Sequence, residues 1–453
     1  MATTGLDGEF FYNLFKNGYR RLKTNEDYID RLNVFPVPDG DTGKNMGKTL
    51  EGGITASEGK KNIGEMTAAL SRGSLLSARG NSGVILSQYI RGLAGFAKGK
   101  DTVPVCDFAS MLESGAASAY RAVRTPTEGT MLTVMRETAE WASGENFDSF
   151  EDCFGRLIPV MRESLEKTPD KLPVLKEAGV VDSGGAGLLK IFEGMNSALM
   201  GETDADVCNV NKTTESVSEN INADAASKPM RHKKFAIVST APGKGIAGYF
   251  IGIGADAIVD GGQTDNPSAE DFIRAFDSVN ADNIIVLPNN SNIKLAARQA
   301  AELYGKVPVT VIPTSSVAEG YSALSMMDDS KETTDEFVEC MTSCLPGVTS
   351  LYITTATRNA FLNGVNITAG EYIALDGDRI LCCRKNRDDV FFGALEALGC
   401  MNEKQTLLAF WGSNMNEDDA GALSSALSQK YPHIESGFLD GGQAVYDLII
   451  SIE

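Results

Sequence analysis

The sequence predicts a multidomain protein in which an all-α N-terminal half is followed by a C-terminal α/β region. The chain has 453 residues, which is more than a single hydrophobic core usually serves. From Gly8 to about Leu199 the apolar residues recur at helical spacing, whereas after residue 232 short β-branched runs alternate with helical stretches. A polar segment, residues 201–231, lies between the two patterns and predicts a linker.

The first domain, predicted to span residues 1–200, shows the helical period clearly near its start. Apolar residues that would share one helix face there are Phe11, Leu14, Phe15, Tyr19 and Leu22. The same spacing returns in the stretch "GVILSQYIRGL". Turns with glycine or proline separate such segments, and β-branched runs are few, so we expect seven or eight helices.

The second domain, residues 232–453, shows a different pattern. The runs "KFAIVST", "ADAIVDGG", "NIIVLPNN" and "KVPVTVIPT" predict strands, and "SAEDFIRAFDSV" and "NIKLAARQAAELYG" between them predict helices. This alternation is typical of a parallel sheet. After about residue 347 the order is less regular, and "GEYIALDGDRILCC" predicts antiparallel strands. We therefore expect two lobes, residues 232–346 and 347–453.

Composition excludes several classes of partner. The net charge of −20 repels nucleic-acid backbone and anionic membrane surfaces, so we expect neither as a partner. The eight cysteines form no CxxC pair, which is typical of a reduced intracellular protein. The N-terminus shows no signal-peptide pattern, and no run of about eighteen apolar residues suggests a membrane span. We expect a cytoplasmic protein.

The segment "NVFPVPDGDTGKNMGK", residues 33–48, is the first candidate site. It is not a phosphate-binding P-loop, because that motif needs four residues between its glycines and Gly43 and Gly47 have three. Asp39 and Asp41 instead form a carboxylate pair that suits Mg²⁺. We expect both to face solvent, with Thr42 near the start of a helix whose N–H groups can meet an anion. A simple polar turn is the alternative.

Two further glycine-rich segments precede predicted helices. The first contains Gly80, Asn81, Ser82 and Gly83, and the second is "VVDSGGAGLL", residues 180–189. Each has the composition of a backbone anion site, and each alone is equally compatible with a tight loop. Three such helix starts in one helical domain favour a single nucleotide site at which the helix ends converge.

These motifs together resemble a known family. "NVFPVPDGDTGKNM", "ARGNSGVILSQ", "PTEGTML" and "LPVLKEAGVVDSGGAGLL" are similar to the nucleotide-binding domain of the dihydroxyacetone kinase superfamily, and most similar to its fatty acid kinase branch. The resemblance covers roughly residues 8–200. It implies an eight-helix barrel that binds ATP with magnesium ions.

The resemblance also implies roles for individual residues. Asp39 and Asp41 would be metal ligands and catalytic residues, and Asn33 stands at the family's third ligand position. Nucleotide contacts would come from Thr42, Asn45, Met46, Gly80, Asn81, Ser82, Gly83, Thr130, Met131, Asp182 and Gly184. Arg79 could add a cation near the transferred group, with simple solvation as the alternative.

The C-terminal half is similar to the end of the ATP-binding component of fatty acid kinase. The shared segments are "GGQTDNPSAEDF", "VLPNNSNIKLAA" and "VIPTSSVAEGYSAL". This implies docking of a separate acyl-binding carrier protein of the DegV type, and we expect the loops "GGQTDNPS" and "LPNNSN" to form its binding surface. Larger relatives carry a middle zinc domain implicated in homodimer formation. This chain has about thirty polar residues there, so we expect neither structural zinc nor that route to a dimer.

The stretch "KFAIVSTAPGKGIAGYF" contains Gly243, Gly245 and Gly248 in the spacing of a dinucleotide-binding motif. Pro242 before the first glycine and the early position of Asp260 argue against it. A structural turn and an anion or partner contact are the alternatives. We expect no NAD or FAD binding.

Three functional hypotheses follow. The leading one is Mg-ATP-dependent phosphoryl transfer to the carboxylate of a fatty acid, which a carrier presents to the helical half across the polar linker. The helical half has no histidine, and an ionised carboxylate needs no general base. The second hypothesis is phosphorylation of a small hydroxy ketone resembling dihydroxyacetone. The third is a nucleotide-binding regulatory scaffold without turnover.

Overall fold

The computed structural model of the protein describes residues 2–34, 40–201, 232–262, 266–362, 364–377 and 379–453. Asp39 and nearly all of the predicted linker, residues 201–231, therefore lie outside the described residues. Within the described part of the chain, no helix is both long and apolar enough to cross a membrane.

In its described residues the N-terminal half contains eight long helices, as the resemblance implies. They are α1 (Gly8–Thr24), α3 (Thr42–Ser57), α4 (Ile63–Ser77), α5 (Gly80–Ala97), α6 (Phe108–Ala122), α7 (Met131–Ser143), α8 (Phe150–Glu166) and α11 (Ser183–Leu199). Short helices join some of them, namely α2 (Glu26–Leu32), α9 (Thr168–Lys171) and α10 (Pro173–Ala178). A two-residue strand pair, β1 (Gly5–Leu6) with β2 (Val103–Pro104), links the start of the chain to the start of α6.

The long helices form a closed ring around one hydrophobic core. Each packs on its neighbour along the chain, α8 packs on α11, and α11 packs back on α1. Helix α1 shows why the sequence pattern predicts this: its apolar face, which includes Phe11, Leu14 and Leu22, is buried. Asp7 begins the helix by accepting a hydrogen bond from Phe10 N at 2.8 Å.

The C-terminal half begins with the predicted parallel α/β unit. Its strands are β3 (Lys233–Ala241), β4 (Ala257–Asp260), β5 (Ala281–Leu287) and β6 (Val309–Val311), all parallel in the order β4-β3-β5-β6. The helices of this unit are α12 (Lys244–Gly252), α13 (Ala269–Asp277), α14 (Lys294–Tyr304), α15 (Val317–Ser325) and α16 (Thr334–Thr342). The four runs that predict strands in the sequence coincide with β3 to β6.

A mixed six-stranded sheet follows, in the order β11-β10-β7-β14-β12-β13. Its strands are β7 (Thr349–Thr355), β10 (Tyr372–Asp376), β11 (Arg379–Arg384), β12 (Thr406–Trp411), β13 (Glu435–Asp440) and β14 (Leu448–Ile452). A hairpin of β8 (Ala360–Leu362) and β9 (Val365–Ile367) and two helices, α17 (Arg387–Leu398) and α18 (Glu417–Lys430), complete it. The predicted antiparallel pair is β10 with β11.

The two halves are in direct contact. Helix α13 packs on α4 and α14 packs on α5, and Val84 belongs to the same buried cluster as Phe272. Gln299 of α14 donates to Leu75 O at 2.6 Å and accepts from Gln88 Nε2 at 2.9 Å. We call this contact between α4–α5 and α13–α14 the interdomain interface. It positions the C-terminal half against the helical half independently of the linker.

The glycine motif of the C-terminal half fits the structural-turn alternative. Gly243 has φ +89°, and a Cβ there would lie 2.5 Å from Gly441 O. A Cβ on Gly245 would overlap the carbonyl of Asp440. The backbone after β13 therefore fills the space beside this turn, where a dinucleotide would need room for its pyrophosphate. The glycines allow the two sheets to approach closely.

Candidate functional site

Four helices of the N-terminal half begin close to one another. Thr42 Oγ1 at the start of α3 lies 3.1 Å from Ser183 Oγ at the start of α11. A Cβ on Gly80, where α5 begins, would lie 2.5 Å from Asn45 Nδ2, and one on Gly184 would lie 3.2 Å from the Cβ of Met131, where α7 begins. The N-terminus of a helix carries free N–H groups and partial positive charge. The structure thus brings together the three helix starts that the sequence singles out, and with them the start of α7, in an arrangement suited to phosphate.

Two glycines make the approach of α5 to α3 possible. Gly80 has φ +58°, a conformation that other residues adopt only with strain. A side chain at Gly83 would overlap Thr49 Oγ1. That hydroxyl donates to Asn45 O at 2.6 Å and accepts from Arg79 N at 3.3 Å. The hydroxyl of Thr49 therefore joins the end of the segment before α5 to the first turns of α3.

Asp41 lies directly before α3 but does not face solvent, so that expectation is wrong. Its relative exposure is only 5%, because Asn266 of the C-terminal half covers it. The Nδ2 atom of Asn266 donates to Asp41 Oδ2 at 2.5 Å. Asn33 is equally buried, whereas the other half of the carboxylate pair, Asp39, lies outside the described residues.

Asn266 has an unusual environment for an asparagine. Its relative exposure is 1%, and its Oδ1 atom accepts no hydrogen bond from any described residue. The described side chains around Asp41 thus offer carboxylate and amide oxygens, the ligand type that Mg²⁺ prefers. Among the described residues, no group of three or more His, Cys, Asp or Glu side chains could hold a metal.

Arg79, expected near the transferred phosphoryl group with simple solvation as the alternative, lies directly before α5 and is bound by residues of the C-terminal half. Its Nη1 donates to Asn266 O at 2.6 Å, and its Nη2 lies 3.4 Å from Asp271 Oδ2. The backbone of Arg79 also forms a bridge with that of Ser268. The guanidinium group therefore attaches the start of α5 to the segment that carries Asn266. Hydrogen bonds from Ser268 and the charge of Arg79 help to hold the pKa of Asp271 below its usual range, against the effect of burial.

The loops expected to bind a carrier also contact the helical half. Asn266 and Ser268 belong to "GGQTDNPS", and Asn292 belongs to "LPNNSN". Asn81 Nδ2 donates to Asn292 Oδ1 at 3.0 Å. Their position at the carboxyl ends of parallel strands was predicted correctly, and Asn266 and Asn292 bind residues of the helical half from there.

The remaining expected nucleotide contacts have distinct environments. Met46 and Met131 are buried in the core of the ring. Thr130 precedes α7, and its hydroxyl donates to Thr127 O at 2.8 Å. Ser82 is half-buried in the first turn of α5. The two methionines are therefore core residues in the first turns of α3 and α7, whereas the two hydroxyl residues are only partly buried.

Asp182 joins two of the helix starts. It is buried, and its Oδ2 accepts a hydrogen bond from Gly185 N at 2.7 Å, which caps α11. Its carboxylate also interacts with the backbone N–H groups of Met131 and Gly184. Burial raises the pKa of Asp182 to about 6, although these N–H groups lower it. The geometry shows a helix cap at this position.

Asp30, which lies in α2, is a charged residue beside the site that no motif in the sequence indicates. Its Oδ1 accepts a hydrogen bond from Gly43 N at 2.6 Å, in the first turn of α3. Lys44 Nζ lies 3.9 Å from the same carboxylate. Burial raises the pKa of Asp30 to about 6. The one sequence feature that could have indicated a site residue here is an acidic side chain about one helical turn before Asn33. Nothing in the sequence shows that α2 folds back onto α3.

Comparison with known proteins identifies both halves. Residues 36–197 match the DAK2 domain family, and residues 236–453 match the C-terminal domain family of FakA-like fatty acid kinase proteins. Protein YloV of Bacillus subtilis is 32% identical, over 100% of both chains. That alignment spans 558 positions against the 453 residues of this chain, so the relative has sequence that this chain lacks. This layout is consistent with a missing middle domain.

Two solved structures show weaker likeness. A DegV family protein from Thermus thermophilus, described as fatty acid binding, has a TM-score of 0.36 at 12% identity and covers 48% of this chain and 99% of its own. The dihydroxyacetone kinase from C. freundii, in complex with AMP-PNP and Mg²⁺, has a TM-score of 0.33 at 15% identity, over 41% of this chain and 33% of that one. The two family matches and the full-length relative carry the assignment. The chain therefore belongs to the dihydroxyacetone kinase superfamily, as a protein that joins a DAK2 domain to a FakA-like C-terminal region.

Proposed function

We propose that this protein is the ATP-dependent kinase component of a fatty acid kinase system. It transfers the γ-phosphoryl group of ATP to the carboxylate of a fatty acid held by a separate acyl-binding protein, and the products are acyl phosphate and ADP. The observation that carries the proposal is the convergence of four helix N-termini beside the buried carboxylate of Asp41.

The helix starts would hold the nucleotide phosphates. The first turn of α5 offers the backbone N–H groups of Gly80, Asn81 and Ser82, whereas that of Gly83 already donates to Arg79 O. Thr42 and Asn45 add polar groups from α3. The nucleotide base would lie over Met46, Thr130, Met131 and the segment of Asp182 and Gly184. Asp182 would contribute to nucleotide binding indirectly, because its carboxylate holds the starts of α7 and α11 in place.

Asp39, Asp41 and Asn33 would hold Mg²⁺ as ligands. When bound, the ion neutralises charge on the β- and γ-phosphates and so favours transfer of the phosphoryl group. Arg79 enters the proposal as a positioning residue, because its guanidinium group binds Asn266 O and Asp271.

The chemistry of the acceptor favours a carboxylate. The chain's two histidines are His232 and His433, so the helical half offers no imidazole as a general base. The carboxylates of Asp30 and Asp182 are engaged by backbone N–H groups at helix starts. A fatty acid carboxylate is already ionised at neutral pH and needs no base, whereas transfer to a hydroxyl is helped by one.

The acceptor would reach the site on a protein carrier. A fatty acid is detergent-like. A carrier protein that buries its acyl chain and exposes its carboxylate is therefore the reasonable way to present it to the kinase. The C-terminal half, which matches the FakA-like C-terminal family, would dock that carrier. Because the interdomain interface holds this half beside α4 and α5, a docked carrier would be close to the nucleotide. We place the reaction in the cytoplasm, where ATP is available and thiols stay reduced.

The DAK2 match keeps a small hydroxy ketone as the second candidate acceptor. The test is to incubate the full chain with Mg²⁺ and γ-labelled ATP, in parallel with fatty acid on a purified acyl-binding protein, free fatty acid, and dihydroxyacetone. We expect label in a hydroxylamine-sensitive acyl product, mainly with the carrier. Label in dihydroxyacetone phosphate would support the second candidate. Nucleotide binding without transfer to any acceptor would instead indicate a regulatory scaffold.

A further inference from the structure

The contact between Asn266 and Asp41 joins residues 225 positions apart and crosses from one half of the chain to the other. Asn266 lies in the segment before α13, and Asp41 lies directly before α3. Both side chains are buried, so the C-terminal half closes one side of the candidate nucleotide site. The site is therefore formed by both halves of the chain.

The amide of Asn266 is only half satisfied. Its Nδ2 donates to Asp41, whereas its Oδ1 is buried and accepts no hydrogen bond from the described residues. A buried carbonyl oxygen without a partner costs about 1–3 kcal/mol, so folded proteins rarely retain one without a reason. The oxygen belongs to the same planar group that touches the Asp41 carboxylate. It is thus an unpaired neutral oxygen close to a charged carboxylate.

The surrounding contacts hold this amide in place. Arg79 Nη1 donates to the backbone carbonyl oxygen of Asn266, not to its side chain, and Arg79 Nη2 lies 3.4 Å from Asp271 Oδ2. Ser268, two residues after Asn266, caps α13 through a reciprocal pair of hydrogen bonds with Asp271. The amide therefore stands on a segment fixed both to α5 and to the start of α13, as a preorganised ligand requires.

We propose that Asn266 is a binding residue of the Mg-nucleotide site, supplied to the helical half by the C-terminal half. Its Oδ1 binds the Mg²⁺ that enters with the nucleotide, directly or through one water of the ion's hydration shell. Arg79 acts as the positioning residue for this amide. The inference rests on the proposed function, since it takes the helix starts around Asp41 as the nucleotide site.

This arrangement connects the two tasks of the protein. Mg²⁺ keeps few protein ligands and several waters, so one additional oxygen has a large effect on affinity. The ion would contact both halves at once, through Asp41 and Asn266. Nucleotide binding would then stabilise the interdomain interface, and with it the placement of a carrier docked on the C-terminal half.

The test uses the full chain, AMP-PNP as the nucleotide, and two substitutions at one position. Calorimetric titration with Mg²⁺ at saturating AMP-PNP gives the ion's apparent affinity, and thermal unfolding with and without Mg²⁺ gives its stabilising effect. We expect Asn266→Ala to weaken the affinity by about 10-fold or more, in the range seen for supporting groups of metal sites. Without Mg²⁺, we expect Asn266→Asp to unfold at a lower temperature than wild type, because it places two carboxylates together. Addition of Mg²⁺ should raise its unfolding temperature by more than it raises that of wild type.

Gln299→Ala is the matched control. Gln299 is also a buried amide of the interdomain interface, and it forms hydrogen bonds with Leu75 and Gln88. Gln88 lies about 12 Å from Gly80 along α5, at the rise per residue of an α-helix, so this contact is away from the site. We expect its loss to lower stability without changing the Mg²⁺ affinity.

If both Asn266 variants lose stability but respond to Mg²⁺ as wild type does, Asn266 is only a packing residue and the inference is wrong. If wild type itself does not bind Mg-AMP-PNP, the proposed function fails and the inference fails with it.

Discussion

The buried carboxylate of Asp182 holds the starts of α7 and α11 together through backbone N–H groups. Burial raises its pKa from 3.8 to about 6, so between these values the folded chain keeps a proton that the unfolded chain has lost. Stability from this group is therefore present below about pH 4 and is lost as pH rises through about 6. A pKa difference of this size corresponds to about 3 kcal/mol.

We expect Asp182→Asn to remove this dependence, because an amide does not ionise. Relative to wild type, the variant should become more stable by up to about 3 kcal/mol between pH 4 and pH 7. Urea unfolding at several pH values in this window measures the difference. A difference between variant and wild type that does not change with pH would contradict the assignment of a raised pKa to Asp182.

Asp41 is the second residue with a specific expectation, because it touches both the proposed metal and Asn266. Asp41→Asn keeps the volume but removes a charged ligand, so phosphoryl transfer should fall to background while the fold remains. Asp41→Ala should in addition lower the free energy of unfolding by about 1–3 kcal/mol, because the amide of Asn266 is left without its partner. Transfer assays and urea unfolding test the two parts. Unchanged transfer in Asp41→Asn would rule out Asp41 as a metal ligand.

At the scale of elements, the close packing of α5 on α3 depends on a missing side chain. A Cβ on Gly83 would overlap Thr49 Oγ1 and lie 3.2 Å from Asn45 O. Gly95 lies on the same helix, is exposed, and has no atom within 4 Å of the place for a Cβ. The two glycines are therefore a matched pair.

We expect Gly83→Ala to lower the free energy of unfolding by about 1–3 kcal/mol, as overpacking does. We expect Gly95→Ala to raise it by up to about 1 kcal/mol, because alanine favours a helix more than glycine does. Urea unfolding of both variants is the measurement. Equal effects of the two substitutions would show that the starts of α3 and α5 do not need this close approach. Weaker AMP-PNP binding in Gly83→Ala alone would support the placement of phosphate there.

The sequence predicts the elements well because their signals are local. The faces of α1 and the runs of β3 to β6 follow from periodicity over a few residues, and so do the helix starts at Thr42, Gly80 and Ser183. The burial of Asp41 and the pairing of Arg79 with Asp271 were not predictable, because both depend on contacts between distant parts of the chain. A motif shows that a residue belongs to a loop, but not what packs over that loop.

At the scale of the whole molecule, the two halves are joined by the interdomain interface as well as by the covalent chain. Val84 is buried in one cluster with Phe272, and Gln299 forms hydrogen bonds with the helical half. A hydrophobic contact with satisfied buried amides should hold two folded parts together without a covalent link.

We therefore expect the halves to stay associated after cleavage. A protease site placed within residues 201–231 allows the folded chain to be cut, and both fragments should then elute together in size-exclusion chromatography at micromolar concentration. Cleaved chain with Val84→Asp is the control and should separate, because the substitution buries an unpaired charge in the interface. Separate elution of the fragments with native Val84 would show that the linker, and not the interface, keeps the halves together.

The central claim is that the chain moves the γ-phosphoryl group of ATP onto a fatty acid carboxylate. The most direct measurement uses fatty acid with oxygen-18 in its carboxylate, bound to an acyl-binding protein and incubated with the chain and Mg-ATP, followed by hydroxylamine. Hydroxylamine attacks the acyl carbon, so the bridging oxygen leaves with the phosphate. We predict inorganic phosphate that carries a single oxygen-18, in the same amount as the fatty hydroxamate. Consumption of ATP with no oxygen-18 in the phosphate would contradict the claim.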